Sequence, residues 1–164
     1  MQVSTRSPTA RCSTLRTMTP DLNVLLAASR TDHPHNAVAL DWLNRALAAC
    51  EAGESLEILP MVAAGFLRLA THPKVFKLPM PIGDAVAFID ALLARPGVQL
   101  PEIGREWPTL KQLAREHDLI ANDLTDAWIA AAVRTLGSHL VTFDRGFKRL
   151  LTRTELTLLE PQSP

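Results

Sequence analysis

The chain has 164 residues, 47% of them hydrophobic and 21% charged, with 17 basic and 17 acidic side chains that give a formal net charge of zero. That length and balance suit one globular domain with a sizeable core, and they exclude a disordered chain or a nucleic-acid binder held by bulk positive charge. No apolar run approaches the roughly 20 residues that span a bilayer, and Cys12 and Cys50 form neither a metal-binding spacing nor a disulfide framework, so a reducing cytoplasm is the expected location.

Residues 1–17 contain Arg6, Arg11 and Arg16, no acid, and nothing like the apolar core of a secretory signal. They read as a flexible or mis-assigned N-terminal extension. The remaining residues carry 14 basic against 17 acidic side chains, a net of −3. Any nucleic-acid contact therefore depends on local patches, of which Arg145, Lys148, Arg149 and Arg153 form one, and Arg68, Lys74 and Lys77 another.

The elements are expected to alternate. A short strand ends near Pro20 and is followed by a helix over about 23–29. Arg30 to Pro34 breaks that helix, with Pro34 suited to the first turn of the next. Ala37, Leu40, Leu43, Leu47 and Cys50 recur at spacings of three and four, which predicts a long amphipathic helix closed near Gly53. Residues 56–59 read as a buried strand, and Pro60 opens a helix that ends before Pro73. After a Pro-containing connection over 74–81, Ala85, Phe88, Ile89, Leu92 and Leu93 give the clearest helical stripe, stopped by Pro96-Gly97. Residues 98–100 form a short strand. Trp107, Leu110, Leu113 and Ala114 line a helix that ends before His117. Asn122 or Thr125 caps the next helix, which Gly137 closes. A strand over 139–143, a turn centred on Phe147 and a last strand near 155–159 complete the chain. Short strands between longer helices argue for an α/β fold, a three-layer α/β/α sandwich around a central, mostly parallel sheet.

Three distant aspartates stand where these elements begin or end. Asp21 follows the first strand, Asp126 lies in the first turn of a helix, and Asp144 follows the strand over 139–143. In an open α/β sheet, strand ends and helix beginnings meet at one crevice, so the three carboxylates converge there. They repel one another unless a hard divalent cation holds them together. Each also has an ordinary structural reading: Asp21 and Asp126 as helix-start residues, Asp144-Arg145-Gly146 as a turn. The histidines show no metal spacing; His33 and His35 suit capping or solvent contact. Trp42, Trp107 and Trp128, spread over separate elements, suit core or interface positions rather than a stacking platform.

Four segments in order, Pro20-Asp21-Leu22-Asn23-Val24-Leu25-Leu26-Ala27-Ala28, Phe66-Leu67-Arg68-Leu69-Ala70-Thr71-His72-Pro73, Asp126-Ala127-Trp128-Ile129-Ala130-Ala131 and Val141-Thr142-Phe143-Asp144-Arg145-Gly146-Phe147, resemble the PIN-domain ribonucleases, specifically the VapC toxins of toxin–antitoxin pairs. The resemblance spans nearly all of residues 18–160, a single PIN-like domain. It implies an acidic pocket that binds Mg²⁺ or Mn²⁺ and cuts single-stranded or looped RNA, a cognate antitoxin protein and a homodimer; the lack of a long apolar run separately leads to the expectation of no membrane. Asp21, Asp126 and Asp144 match the family's acidic positions, and Asn23 and Thr142 its supporting polar ones. The family commonly places a Glu ahead of the Phe-Leu-Arg block, where this chain has Gly65. Asp123 is the candidate substitute as a metal ligand, set against a solvated loop role. Arg145, Lys148 and Arg149 are candidate RNA contacts, whereas Arg68 is expected to pair with an acidic neighbour.

Two other readings remain. A haloacid-dehalogenase-like phosphotransferase also starts with an Asp at a strand end, but it calls for Asp-x-Asp where position 23 is Asn. A catalytically silent PIN-like module that binds RNA or protein is kept open by Gly65.

Overall fold

Strands of two to four residues provide few backbone hydrogen bonds each, so the helices that cover them must supply most of the stabilising burial. The computed structural model describes residues 16–160, and most of the extension expected over 1–17, with Cys12, lies outside them. Five strands, β1 (Thr17–Pro20), β2 (Ser55–Glu57), β3 (Val98–Gln99), β4 (His139–Thr142) and β5 (Leu156–Leu158), form one sheet. Its order is β3-β2-β1-β4-β5 and every pairing is parallel. Six α-helices connect the strands: α1 (Leu22–Ser29), α2 (Asn36–Glu51), α3 (Pro60–Ala70), α4 (Ile82–Leu93), α5 (Trp107–Glu116) and α6 (Asp123–Leu136).

The strand order sets the layers. From β1 the chain moves outward to β2 and β3, then returns past β1 to β4 and β5. Parallel crossovers are right-handed, so a reversal of direction transfers the connecting helices to the other face. The observed contacts divide accordingly: α1 touches α2 and α3, α3 touches α4, and α5 touches α6. The result is the expected three-layer α/β/α arrangement. Among the described residues no helix is long and apolar enough to cross a membrane.

The core runs through the sheet and both helix layers. Leu25, Leu56, Ile58, Leu59, Phe66, Leu113, Leu140 and Phe147 are all buried, each stabilising the fold by about 2 kcal/mol relative to exposure. α1 is buried over five consecutive residues, Val24 to Ala28, because β4, α2 and α3 surround it.

Several boundaries differ from expectation for local reasons. Pro34 lies in a turn ahead of α2, whose N-cap position is His35. The buried stripe of α2 is Ala39, Trp42, Leu43, Ala46 and Cys50, leaving Leu40 exposed at 41%. β2 ends at Glu57; Ile58 and Leu59 stay buried but serve as the approach to Pro60, the first residue of α3. Trp107 opens α5 from an exposed position rather than facing the core. Neither Asn122 nor Thr125 caps α6 by a side-chain hydrogen bond; Asn122 holds the cap position with helical backbone angles. Gly137 closes α6 with a left-handed φ of 66°, as its position predicts.

Gly97 is required by space and by conformation. Its φ is +73°, and an added Cβ meets the Glu54 carbonyl oxygen at 2.8 Å and Cys50 Cβ at 2.9 Å. Gly97→Ala is expected to lower unfolding free energy by about 2 kcal/mol or more, read by urea denaturation. An unchanged midpoint contradicts this close approach of the β3 entry to the end of α2.

Candidate active site

The sheet order reverses between β1 and β4, the central neighbours, and the crevice beyond their C-terminal ends is where an open α/β fold binds ligands. Asp21 occupies the end of β1. Its amide donates to the Val141 carbonyl at 2.9 Å, continuing the β1–β4 ladder. Its carbonyl accepts from the Val24 and Leu25 amides, and its carboxylate Oδ1 accepts from the Leu22 amide at 2.7 Å. Asp21 is therefore the N-cap of α1, so the structural reading holds. Its second oxygen faces the end of β4.

There Thr142, fully buried, donates its hydroxyl proton to Asp21 Oδ2 at 2.6 Å. The same hydroxyl oxygen accepts from Asn23 Nδ2 at 3.0 Å and from the Asp144 amide at 2.9 Å. A hydroxyl has one proton to give, and the shorter contact takes it; the 3.3 Å approach to Asn23 Oδ1 is not a second donation. Asn23 Oδ1 instead accepts from the Phe143 amide at 3.2 Å. Asp144 is exposed, and its Oδ1 accepts from the Gly146 amide at 2.7 Å, starting a 3-10 turn over Arg145–Arg149. Asp126 is half-buried in the first turn of α6.

The electrostatics reflect this convergence. Burial pushes the Asp21 carboxyl up to about 6, although the hydrogen bonds from Thr142 and Leu22 act against it, and the charges of Asp126 and Asp144 add to the rise. The Asp126 carboxyl is also raised, chiefly by burial, then by Asp144 and Asp123, with Arg149 opposing. None of the three carboxylates forms an ion pair with a described Lys or Arg. Among the described residues no three His, Cys, Asp or Glu side chains already share one ion-sized point. The donor set nevertheless fits a hard divalent cation: oxygen ligands, one of them buried and fixed, whose negative charge the protein disfavours.

The other candidates separate. Asp123 pairs with Arg149, Oδ1 to Nη2 at 2.7 Å, both side chains partly exposed. That pair occupies the proposed substitute ligand and one of the proposed RNA contacts with each other. Arg145 and Lys148 are exposed and belong to no described ion pair. Neither does Arg68, contrary to the pairing expected for it. Gly65 faces the Leu22 side chain, with an added Cβ 3.3 Å from Leu22 Cδ2, in a helix that contributes no carboxylate to the crevice.

Two features beside the site were not anticipated. His35 stacks on Phe143, ring centres 4.9 Å apart, and its amide donates to His33 Nδ1. Trp128 is 36% exposed, and its indole N–H donates at 2.8 Å to the buried carboxylate of Glu106. The available signal for Trp128 was its position two residues after Asp126.

The family model described as PIN domain matches residues 18–151. Ribonuclease VapC31 of Mycobacterium tuberculosis is 38% identical over 132 residues, covering 79% of this chain and 89% of that protein. Ribonuclease VapC25 of the same species is 36% identical over 130 residues, covering 79% and 89%. Among solved structures, VapBC2 from Rickettsia felis bound to a promoter DNA fragment superposes with a TM-score of 0.62 at 16% identity, covering 88% of this chain and 99% of that one. FitAcB from Neisseria gonorrhoeae gives 0.57 at 18% identity, covering 90% and 99%.

Asp21 carries a pH-dependent cost of folding. Its folded pKa, about 6, lies above the ordinary 3.8, so the folded chain binds the proton more tightly than the unfolded chain. The cost is absent below about pH 4, grows between the two values and is complete above about pH 6, reaching about 3 kcal/mol. In EDTA, the stability of Asp21→Asn relative to the parent is expected to rise by about that amount from pH 4 to pH 7.5. A difference that stays flat over this range removes the assignment of strain to the Asp21 charge.

Proposed function

The chain belongs to the PIN-domain family, in its VapC branch, and from that premise we propose that it is a divalent-metal-dependent endoribonuclease acting as the toxin of a toxin–antitoxin pair. The observation that carries this reading is the Asp21–Thr142–Asn23–Asp144 network at the β1–β4 reversal, with Asp126 close enough to raise the Asp21 proton affinity. The ribonuclease names of its relatives support the substrate class. The VapBC complexes among its structural neighbours support a cognate antitoxin protein as partner. A cytoplasmic location and a homodimer belong to the same proposal.

Asp21 and Asp126 would hold Mg²⁺ or Mn²⁺ directly, with Asp144 either a third ligand or the group that orients the attacking water. When bound, the cation lowers the pKa of a water and offsets charge on the scissile phosphate. The protein's contribution is orientation. Leu22 and Thr142 fix both oxygens of Asp21, so this carboxylate does not need to reorganise when substrate arrives. Asp144 is held by the Thr142 hydroxyl through its amide and by Gly146 through its carboxylate, leaving one oxygen available to accept a proton from an attacking water. The water oxygen bonds to phosphorus, one ester P–O bond breaks, and the departing ribose oxygen takes up a proton from solvent, giving a phosphate monoester and a free hydroxyl. Exposed Arg145 and Lys148 supply positive charge for the RNA backbone. Asp123 remains with Arg149, so the site works with three carboxylates, enough for one Mg²⁺ with water ligands.

The test is cleavage of a mixed, structured RNA pool by purified chain freed of any partner, in Mg²⁺, Mn²⁺ or EDTA. Cutting is expected with either metal and not in EDTA, and Asp126→Asn is expected to lower it by roughly a hundredfold or more. Folded protein that cuts with neither metal overturns the nuclease and favours a silent binding module. Thr142→Val is expected to retain the fold and lose about tenfold to a hundredfold in metal affinity or rate. Wild-type metal affinity and rate in that variant rule out orientation of Asp21 by Thr142.

A further inference from the structure

Beside the acidic crevice lies a groove of about 460 Å³ between α3 and α6, open on one side. Leu22, Met61, Gly65, Arg68, Thr125 and Trp128 are among the residues that line it. Two of them are sequence neighbours of the candidate carboxylates: Leu22 follows Asp21, and Thr125 precedes Asp126. The groove therefore borders the chain segments that carry Asp21 and Asp126. Its walls are mainly apolar. At Gly65 the α3 wall has no side chain, and at the rim Arg68 is exposed and unpaired among the described residues.

Trp128 is the informative wall. A large indole left 36% exposed beside a groove is usually free to turn, but here its N–H is held at 2.8 Å by Glu106. Glu106 is itself 6% exposed, and its other oxygen accepts from the Gly104 amide at 2.6 Å. The indole edge is thus anchored inward while its carbon surface remains available. An anchored aromatic surface with a cation at the rim suits a flat heterocycle joined to a phosphate. An apolar protein segment leaves Arg68 unpaired unless it also brings a carboxylate.

We propose that this groove is a nucleobase subsite, in which one unpaired base of the RNA stacks on Trp128 next to the scissile phosphate while Arg68 meets a neighbouring phosphate. This rests on the nuclease reading and extends it to substrate choice. The subsite requires an unstacked base, which gives a physical cause for the single-stranded or looped substrates that the family resemblance implies; what it adds is a choice of which base is held beside the scissile phosphate. Gly65 provides room that a larger residue removes.

The experiment separates Trp128 from the other tryptophans by fluorescence. Trp107 is 62% exposed and is replaced by Phe, whereas Trp42 is buried at 7% and stays as an unquenched background. In EDTA, a short single-stranded RNA is expected to quench the remaining exposed emission saturably, and a duplex of the same sequence is not. Binding followed on labelled RNA is expected to weaken roughly tenfold to a hundredfold in Trp128→Ala and to recover in Trp128→Phe. Ala64→Leu, at an exposed position lining the same groove, should weaken it similarly without altering Trp128 or a carboxylate. With Mg²⁺, Trp128→Ala is expected to change which sites in the RNA pool are cut. Unchanged RNA binding in both folded variants overturns the subsite and leaves the groove to a protein segment. Quenching without any metal-dependent cutting by the parent keeps the subsite and removes the nuclease reading. Asp126-dependent cutting with wild-type site preference and affinity in Trp128→Ala does the reverse.

Discussion

The hydrogen bond from the Thr142 hydroxyl to Asp21 joins the two strand ends on which the site depends. β1 and β4 are distant in sequence, and their ladder continues past the last strand residue through the Asp21 amide. Thr142 then connects three groups through one oxygen: the Asp21 carboxylate, the Asn23 amide and the Asp144 backbone. A buried hydroxyl can satisfy this demand because it donates once and accepts twice. Valine has nearly the same shape, but it leaves a buried carboxylate oxygen, an amide side chain and a backbone N–H without this partner. The geometry of the crevice thus follows from one side-chain oxygen at the end of one strand.

That network also explains why structural and chemical readings of the same aspartates coexist. Asp21 caps α1 with one oxygen and accepts from the Thr142 hydroxyl at the end of β4 with the other. Asp144 starts the 3-10 turn with one oxygen and leaves the other exposed. Capping uses the neighbouring backbone to immobilise the carboxylate, and immobilisation is what a metal ligand needs. The cost appears as raised proton affinity at Asp21 and Asp126, where burial and mutual repulsion act together. Such a pattern is common where charge is reserved for a ligand rather than for an internal partner.

The element order and parallel sheet were legible because glycine and proline mark nearly every boundary, and because helical stripes such as Ala85, Ile89 and Leu92 face the core as their spacing implies. The stripe of α2 was misread by one step. Ala39 and Ala46, small and weakly hydrophobic, hold buried positions in a helix that packs on α1, while Leu40 is exposed. Close helix approach selects small residues, and periodicity weighted by hydrophobicity overlooks them. Asn23 and Thr142 entered only through the family resemblance, whereas Asp21 and Asp144 could be grouped from strand ends alone, since topology brings strand ends together. The Asp123–Arg149 pair could not, because it depends on how the 3-10 turn lies against the start of α6. Nor could the Trp128–Glu106 bond, whose partners are 22 residues apart on different segments.

Gly65 gains a meaning from its surroundings. A carboxylate in this part of α3 adds negative charge to a region where Asp21 is already held against its preference for ionisation. With glycine, the nearest neighbour of the missing side chain is the aliphatic Leu22, and the wall opens into the groove beside Trp128. Charge is reduced and volume is gained at the same place. Three carboxylates meet the modest ligand demand of one Mg²⁺, whose remaining positions take water. A site with less charge also repels an RNA phosphate less, which matters for a chain whose residues beyond 17 carry a net charge of −3. The absent carboxylate is therefore compatible with the proposed nuclease, and on that proposal it would shift the burden of substrate binding from charge toward the shape of the α3–α6 groove.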